Sequence, residues 1–297
     1  LDVDQWLRSF AVQVLCGIGD NYSSGSQHNA VFYFRPSDGK ALYFPWDMDF
    51  SFNRGATSDL TPNGDLDKLL AASPANERAY YGHILDIVNT SFNSAYISEW
   101  IDHYQCFLTG NQPSLSTFRS YINTRSRHAA NLINNAVANI PYRINTPDGT
   151  ETNQSFITVS GDGWVDVREI RFSGGGALPI TWTDNNSWEV TVPVSPGANT
   201  ITLEAVGFDG VVIAQDSVDV CTRETVGTHA AGRSDAVAAE GDGLGAGDAH
   251  GEAGGVGCDL RAQRDRDRVG RRHPMAERQH RFEERRGAHC RLQIAVE

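Results

Sequence analysis

Asp20, Asn29, Asp47 and Asp49 are the residues whose types and spacing best suit chemistry. All four offer hard oxygen donors, the ligands that Mg²⁺ and Ca²⁺ take. They fall in two acidic-polar clusters. Asp20, Asn21, His28 and Asn29 lie in GDNYSSGSQHN, and Asp47 and Asp49 in FPWDMDFSF. Between the clusters stand VFYF and ALYF, joined by RPSDGK. Alternating apolar residues on either side of an Asp-Gly turn predict a β-hairpin. A hairpin brings its two ends together, which places Asp20, Asn29, Asp47 and Asp49 in one neighbourhood. Asp47 and Asp49, two apart on an extended segment, are expected to point to one side and face one ion.

Residue types alone leave other roles open. Asp20 and Asn21 also suit a Gly-flanked turn, and Asp47 a helix or turn cap. His28 is expected to hydrogen-bond a loop backbone rather than act as a base. Trp46 reads as core or pocket wall. Arg125 and Arg127 read as surface or ion-pair residues.

Residues 2–16 place Trp6, Leu7, Phe10, Val14 and Leu15 on one helical face, with Asp2 or Asp4 as cap and Gly17 as stop. After a polar loop, residues 65–140 read as helical: LDKLLAAS, then 76–93, then 95–108, then 114–140 with Ser114 or Ser116 as N-cap and Pro141 closing it. The aromatic residues of 76–108 are expected in the core. A hairpin followed by a run of helices predicts an α+β arrangement.

Near Pro141 the composition changes. Residues 145–220 hold six short alternating runs: SFITVSG, WVDVREIRF, LPITWT, SWEVTVPV, NTITLEAVG and VVIAQDSVDV. Turn signals separate them, which predicts an all-β antiparallel sandwich. Stretches such as SPGANTITLEAVGFDG resemble bacterial immunoglobulin-like modules. Residues 221–297 are rich in Arg, Gly, Ala, His and Asp, with Phe282 their only aromatic ring besides histidine. That composition cannot bury enough apolar area to offset ordering entropy. It predicts a disordered tail or a shifted reading frame. The three expected units are thus 1–142, 145–220 and 221–297.

Bulk properties narrow the partners. The 297 residues carry a formal net charge of −12, which argues against nucleic acid and anionic membrane. The five cysteines form no zinc-ligand pattern, and Cys16 reads as a small buried residue. No run of about 18 apolar residues occurs, so membrane insertion is not expected. The chain opens on Leu, inside a helical pattern, as a fragment would.

The segments DVDQWLRSFAVQVL, GDNYSSGSQHNAVFYF, KALYFPWDMDFSF and DLDKLLA…FNSAYISEWIDHY together resemble the spore coat protein H (CotH) kinase family, over about residues 1–140. The resemblance implies the C-lobe of an atypical protein-kinase-like fold, secreted or held at the cell envelope, that moves the γ-phosphate of ATP to protein Ser/Thr. In protein kinases one Asp orients the acceptor hydroxyl, an Asn helps to hold metal, and a second Asp after a hairpin holds Mg²⁺. By that resemblance Asp20 is the catalytic residue. Asn29, Asp47 and Asp49 are expected to hold Mg²⁺ (or Mn²⁺) with ATP. The Asp20-to-Asn29 gap is longer than in ordinary kinases. A kinase also needs a lobe with a phosphate-binding Lys and a partner Glu. Lys40 on the hairpin turn is misplaced for that, so the lobe is expected upstream and the chain as given is expected to be inactive. Its expected partners are a protein substrate or cell-surface proteins. The competing expectation is a non-catalytic surface or spore-coat-type structural protein, its loops stabilised by metal and its sandwich acting as spacer or adhesion module. A metal-dependent phosphohydrolase is a third.

Overall fold

Helix α1 (Val3–Leu15) forms where the apolar stripe predicts it. Asp2 caps it, accepting from the Gln5 backbone N–H. At its other end Gly17 turns left-handed (φ 61°). The Gly17 N–H reaches the Val14 carbonyl and the Ile18 N–H reaches the Gln13 carbonyl, the paired bonds of a Schellman stop. The computed structural model describes residues 1–24, 28–62, 64–108 and 115–223. The 224–297 stretch of the expected tail and Ser114 as N-cap lie outside the described residues.

Strands β1 (Ala30–Phe34) and β2 (Ala41–Pro45) pair antiparallel, with Phe32 opposite Tyr43. The turn closes through the Arg35 N–H to the Lys40 carbonyl and needs Gly39 at φ 68°. One hairpin face lies on α1, where Trp6, Phe10, Tyr22, Phe32 and Tyr43 pack ring to ring at 5.1–6.1 Å. Gln5 bridges the outer edge of β2. Its amide donates to the Tyr43 carbonyl (2.5 Å) and accepts from the Tyr43 N–H (2.9 Å), as a neighbouring strand would.

The helical run follows as α2 (Asp65–Ala71), α3 (Pro74–Thr90), α4 (Ser94–Gln105) and α5 (Ser116–Ala136). Ser73 and Asn93 cap α3 and α4. Helix α5 ends four residues before the expected stop, because Val137 leaves the helix (φ −130°, ψ 118°) and is buried. The expectation that the aromatics of 76–108 are core holds for Tyr80, Tyr81 and Phe92 but fails on α4. There Tyr96, Trp100 and Tyr104 are exposed and Ile101 is buried instead, and Phe107, just past the helix, is exposed too. Arg125 also departs from expectation. It is 1% exposed and donates to the carbonyls of Val14, Ser58 and Asp59. Arg127 is exposed, as expected.

Eight strands make two facing four-stranded sheets, so the fold is α+β. They are β3 (Arg143–Ile144), β4 (Thr150–Thr152), β5 (Phe156–Asp162), β6 (Glu169–Phe172), β7 (Thr181–Trp182), β8 (Ser187–Pro193), β9 (Gly197–Val206) and β10 (Val212–Thr222). The sheet orders are β4-β10-β9-β6 and β3-β5-β8-β7. The six expected runs all contribute, but residues 164–168 are a loop rather than strand. The short β3 and β4 are additional, and β4 pairs parallel to β10, against the all-antiparallel expectation. Alternation fills the space between the sheets. Ile157, Val159, Trp188, Val190 and Val192 face Ile170, Ile201, Leu203, Val218 and Val220. Each such side chain contributes about 1.5–3 kcal/mol on burial.

Candidate functional site

The stop of α1 and the segment after the hairpin are sewn together. The Phe52 N–H donates to the Cys16 carbonyl (2.6 Å) and the Arg54 N–H to the Gly17 carbonyl (2.9 Å). Arg125 takes the Val14 carbonyl from below. These bonds satisfy carbonyls that a helix end leaves orphaned. A side chain at Gly17 would collide with the Tyr121 hydroxyl, 2.1 Å from its Cβ position, so the close approach needs glycine. The Cys16 thiol is enclosed here, and burial pushes its pKa up to about 11.

Asn29 joins the two acidic clusters. Its side-chain amide donates to the Asp20 carbonyl (2.9 Å), and its own carbonyl accepts from the Trp46 N–H (3.0 Å), one residue before Asp47. The hairpin register, Ala30 opposite Pro45, sets this contact. Two hydrogen bonds therefore connect Asn29 to the Asp20 backbone and to Trp46, the residue before Asp47. Asn29 spends its nitrogen on Asp20 and keeps its side-chain oxygen as a potential ligand. The Asp20 carboxylate pairs with His28 Nε2 at 2.8 Å. His28 thus engages a carboxylate rather than the expected loop backbone. Trp46 is 65% exposed, not core.

The Asp47–Asp49 pair differs from expectation. Asp47 is left-handed (φ 51°, ψ 68°), and Met48–Phe50 form a 3₁₀ turn. The segment is not extended, so the two-residue alternation that would aim both carboxylates to one side does not apply. Asp47 occupies the cap position of this turn without a side-chain cap bond, and both carboxylates are exposed. Among the described residues, no three His, Cys, Asp or Glu side chains come together as a metal cage. The donors at hand are carboxylates and one amide oxygen. They suit Mg²⁺, which keeps waters and binds through one or two carboxylates plus phosphate oxygens.

Backbone strain concentrates in this stretch. Among the described residues the non-glycine positions with positive φ are Asn29 (58°), Asp47 (51°) and Phe52 (64°). Left-handed conformation is costly for a β-carbon-bearing residue, most of all for a bulky one such as Phe. Phe52 is held there by its bond to Cys16 and by rings at 4.7 Å (Phe118) and 5.1 Å (Tyr121). Strain of this kind persists where surrounding structure over-determines it, and it gathers at functional sites. Residue types did not forecast it at Phe52. Arg125, missed as well, does carry a signal: it sits with Ile122, Ala129 and Ile133 on the apolar stripe of α5.

With this geometry in place, the family comparison is specific. The family model for CotH kinase protein matches residues 1–156, just over half of the 297. The chain belongs to the CotH kinase family. No curated protein matches it. Among solved structures, the fibronectin(III)-like modules of Clostridium thermocellum CbhA are similar at 15% identity and a TM-score of 0.23, over 28% of this chain and 98% of theirs. The endo-beta-1,4-mannanase from Thermotoga petrophila is similar at 12% identity and a TM-score of 0.23, over 74% of this chain and 61% of its own. At these scores neither likeness bears on the function of this chain.

Proposed function

We propose that residues 1–142 are the C-lobe of an atypical, extracellular protein kinase that transfers the γ-phosphate of ATP to protein Ser/Thr. The observation that carries this reading is the Asn29 bridge, which ties Asp20 to the residue preceding Asp47 in a member of the CotH kinase family. Asp20 accepts a hydrogen bond from the acceptor hydroxyl and orients it, while His28 holds the carboxylate from its other side. Asn29 Oδ1 and the carboxylates of Asp47 and Asp49 are the groups that would hold Mg²⁺ with ATP. The ion would screen phosphate charge as the phosphoryl group moves.

A lysine-bearing lobe packs on the hairpin in this reading. Its outer face presents Val31, Tyr33 and Phe44, each 45–51% exposed. A two-stranded hairpin with one bare apolar face needs further strands or helices for stability. No helix among the described residues is long and apolar enough to cross a membrane. The test is labelled ATP with a protein acceptor, using a chain that includes the upstream lobe. Asp20→Ala and Asp47→Ala are expected to lower transfer at least 100-fold. Transfer at the wild-type rate by both variants would refute the assignment. Release of labelled phosphate to water with no acceptor labelled would replace the kinase reading by a phosphohydrolase.

A further inference from the structure

The densest buried polar contact lies away from the candidate site, where α3 meets the sandwich. Arg78 is 3% exposed. Its guanidinium donates to the carbonyls of Gly163 (2.9 Å), Asn185 (2.7 Å), Val167 (2.9 Å) and Trp164, and it stacks 3.4 Å from the centre of the Trp182 ring. One turn along α3, Gly82 makes room for the sandwich. A Cβ there would lie 2.4 Å from Phe208 Cζ and 2.6 Å from the Val165 carbonyl oxygen. Val165 is itself buried in the helical core. The next residue, His83, is buried against Phe208 and bonds Asp4 at 2.8 Å, and Asp4 also pairs with Arg168 at 3.1 Å. Asp4 is in the first turn of α1, whose far end carries the Gly17–Asp20 loop. The cleft of about 310 Å³ at this junction is lined by Leu70, Ser73, Glu77, Asp184 and neighbours, none of them in the candidate site.

We propose that the sandwich is an obligate structural half of the CotH-type unit rather than a spacer: its 163–168 loop and Phe208 form a socket that locks α3 and, through Asp4, the end of α1 opposite the candidate site. Isolated ion pairs at a surface would not support this, but Arg78 cannot leave without stranding the carbonyls of Gly163, Asn185 and Val167 and its own buried charge. The family match runs to residue 156, past α5, β3 and β4 and up to the first residue of β5, and the socket residues lie beyond it.

The sign of one substitution separates the alternatives in the full chain. Replacing a mid-helix glycine by alanine stabilises a helix whose flank is open. At a socket the same Cβ overpacks. Gly82→Ala is therefore expected to lower the midpoint of thermal unfolding by roughly 4 °C or more. Phe208→Ala in the same chain is expected to restore part of that loss. Wild type should unfold in one transition, with helical circular dichroism and tryptophan fluorescence superimposed. Arg78→Met should split the two signals. A raised midpoint for Gly82→Ala, or two separated transitions in wild type, would overturn the proposal. Should Arg78→Met not fold, the pairing of Gly82 and Phe208 decides alone.

Discussion

Replacing Asp47 by glycine and by alanine tests whether the left-handed turn is held by the site or chosen by the residue. Both variants remove the same carboxylate. Asp47 is exposed and makes no side-chain cap bond, so losing the carboxylate alone should change stability by no more than about 0.5 kcal/mol. The variants then differ only in backbone preference. At φ 51° and ψ 68° alanine is disfavoured by about 1–2 kcal/mol relative to its right-handed state, whereas glycine is not. Glycine returns about 0.4–1 kcal/mol through a freer unfolded chain. The balance leaves Asp47→Gly more stable than Asp47→Ala by about 0.5–1 kcal/mol, which is ~1–4 °C in midpoint for a unit of this size.

The assay is thermal or urea unfolding of both variants beside wild type, with phosphotransfer measured on the longer chain. Under the proposed function both variants lose activity equally, because both lack the metal-binding carboxylate. Glycine then improves stability over alanine while rescuing nothing, the signature of strain retained for function. If Asp47→Ala equals or exceeds Asp47→Gly in stability, the left-handed conformation is not imposed by the Asn29–Trp46 clasp and no strain is held at Asp47. If Asp47→Gly keeps wild-type activity, the carboxylate has no role in the chemistry.

Two further outcomes follow from buried polar pairs. Tyr43→Phe removes the hydroxyl that meets both ends of the fully buried Gln13 amide (2.8 and 3.1 Å). Leaving that amide unpaired should cost about 1–3 kcal/mol, and Gln13→Leu in the same chain should recover part of it, read as a double-mutant cycle in urea. The His83 hydrogen bond, with the nearby charges of His83, Arg168 and Arg8, holds the Asp4 pKa below its ordinary 3.8 against the opposing effect of burial. Its stabilisation is therefore complete above about pH 4 and disappears as pH falls through the lowered folded-state value. The stability gap between wild type and Asp4→Asn should close on acidification below about pH 4. A gap independent of pH would refute the pairing.

Much of the positioning frame was readable because it follows period and punctuation. The α1 stripe, the Asp-Gly hairpin and the caps at Asp2 and Gly17 are local signals, and each formed where residue spacing put it. The long sandwich strands were legible for the same reason, as in β8, where Trp188, Val190 and Val192 alternate with exposed residues. The strands that escaped, β3 and β4, are two and three residues long. They exist only because partners distant in sequence offer edges, and no period can show in so short a run. Helix α4 shows the limit of the period itself. Spacing states which residues share a face, not which face is covered, and Tyr96, Trp100 and Tyr104 share the exposed one.

That Asn29 bridges Asp20 and the residue before Asp47 followed from hairpin closure. Their unequal geometry did not, because a left-handed Asp47 depends on what clasps its neighbours rather than on its own type. The same reasoning applies to the two buried arginines. On the α3 stripe Arg78 lines up with Tyr81 and Leu85, and Arg125 lies beside Ile122 and Ala129. A cation on an apolar stripe has two solutions: the stripe ends there, or carbonyls from elsewhere arrive to receive it. Arg78 finds its carbonyls 85–107 residues further along the chain, and Arg125 finds two of its own 66–67 residues back. Such a match is fixed by loops whose carbonyls lack secondary-structure partners, at 163–167 and 58–59. An arginine on an apolar stripe is thus best read as a demand for a carbonyl-rich loop, which turns an apparent break in helix patterning into a forecast of tertiary contact.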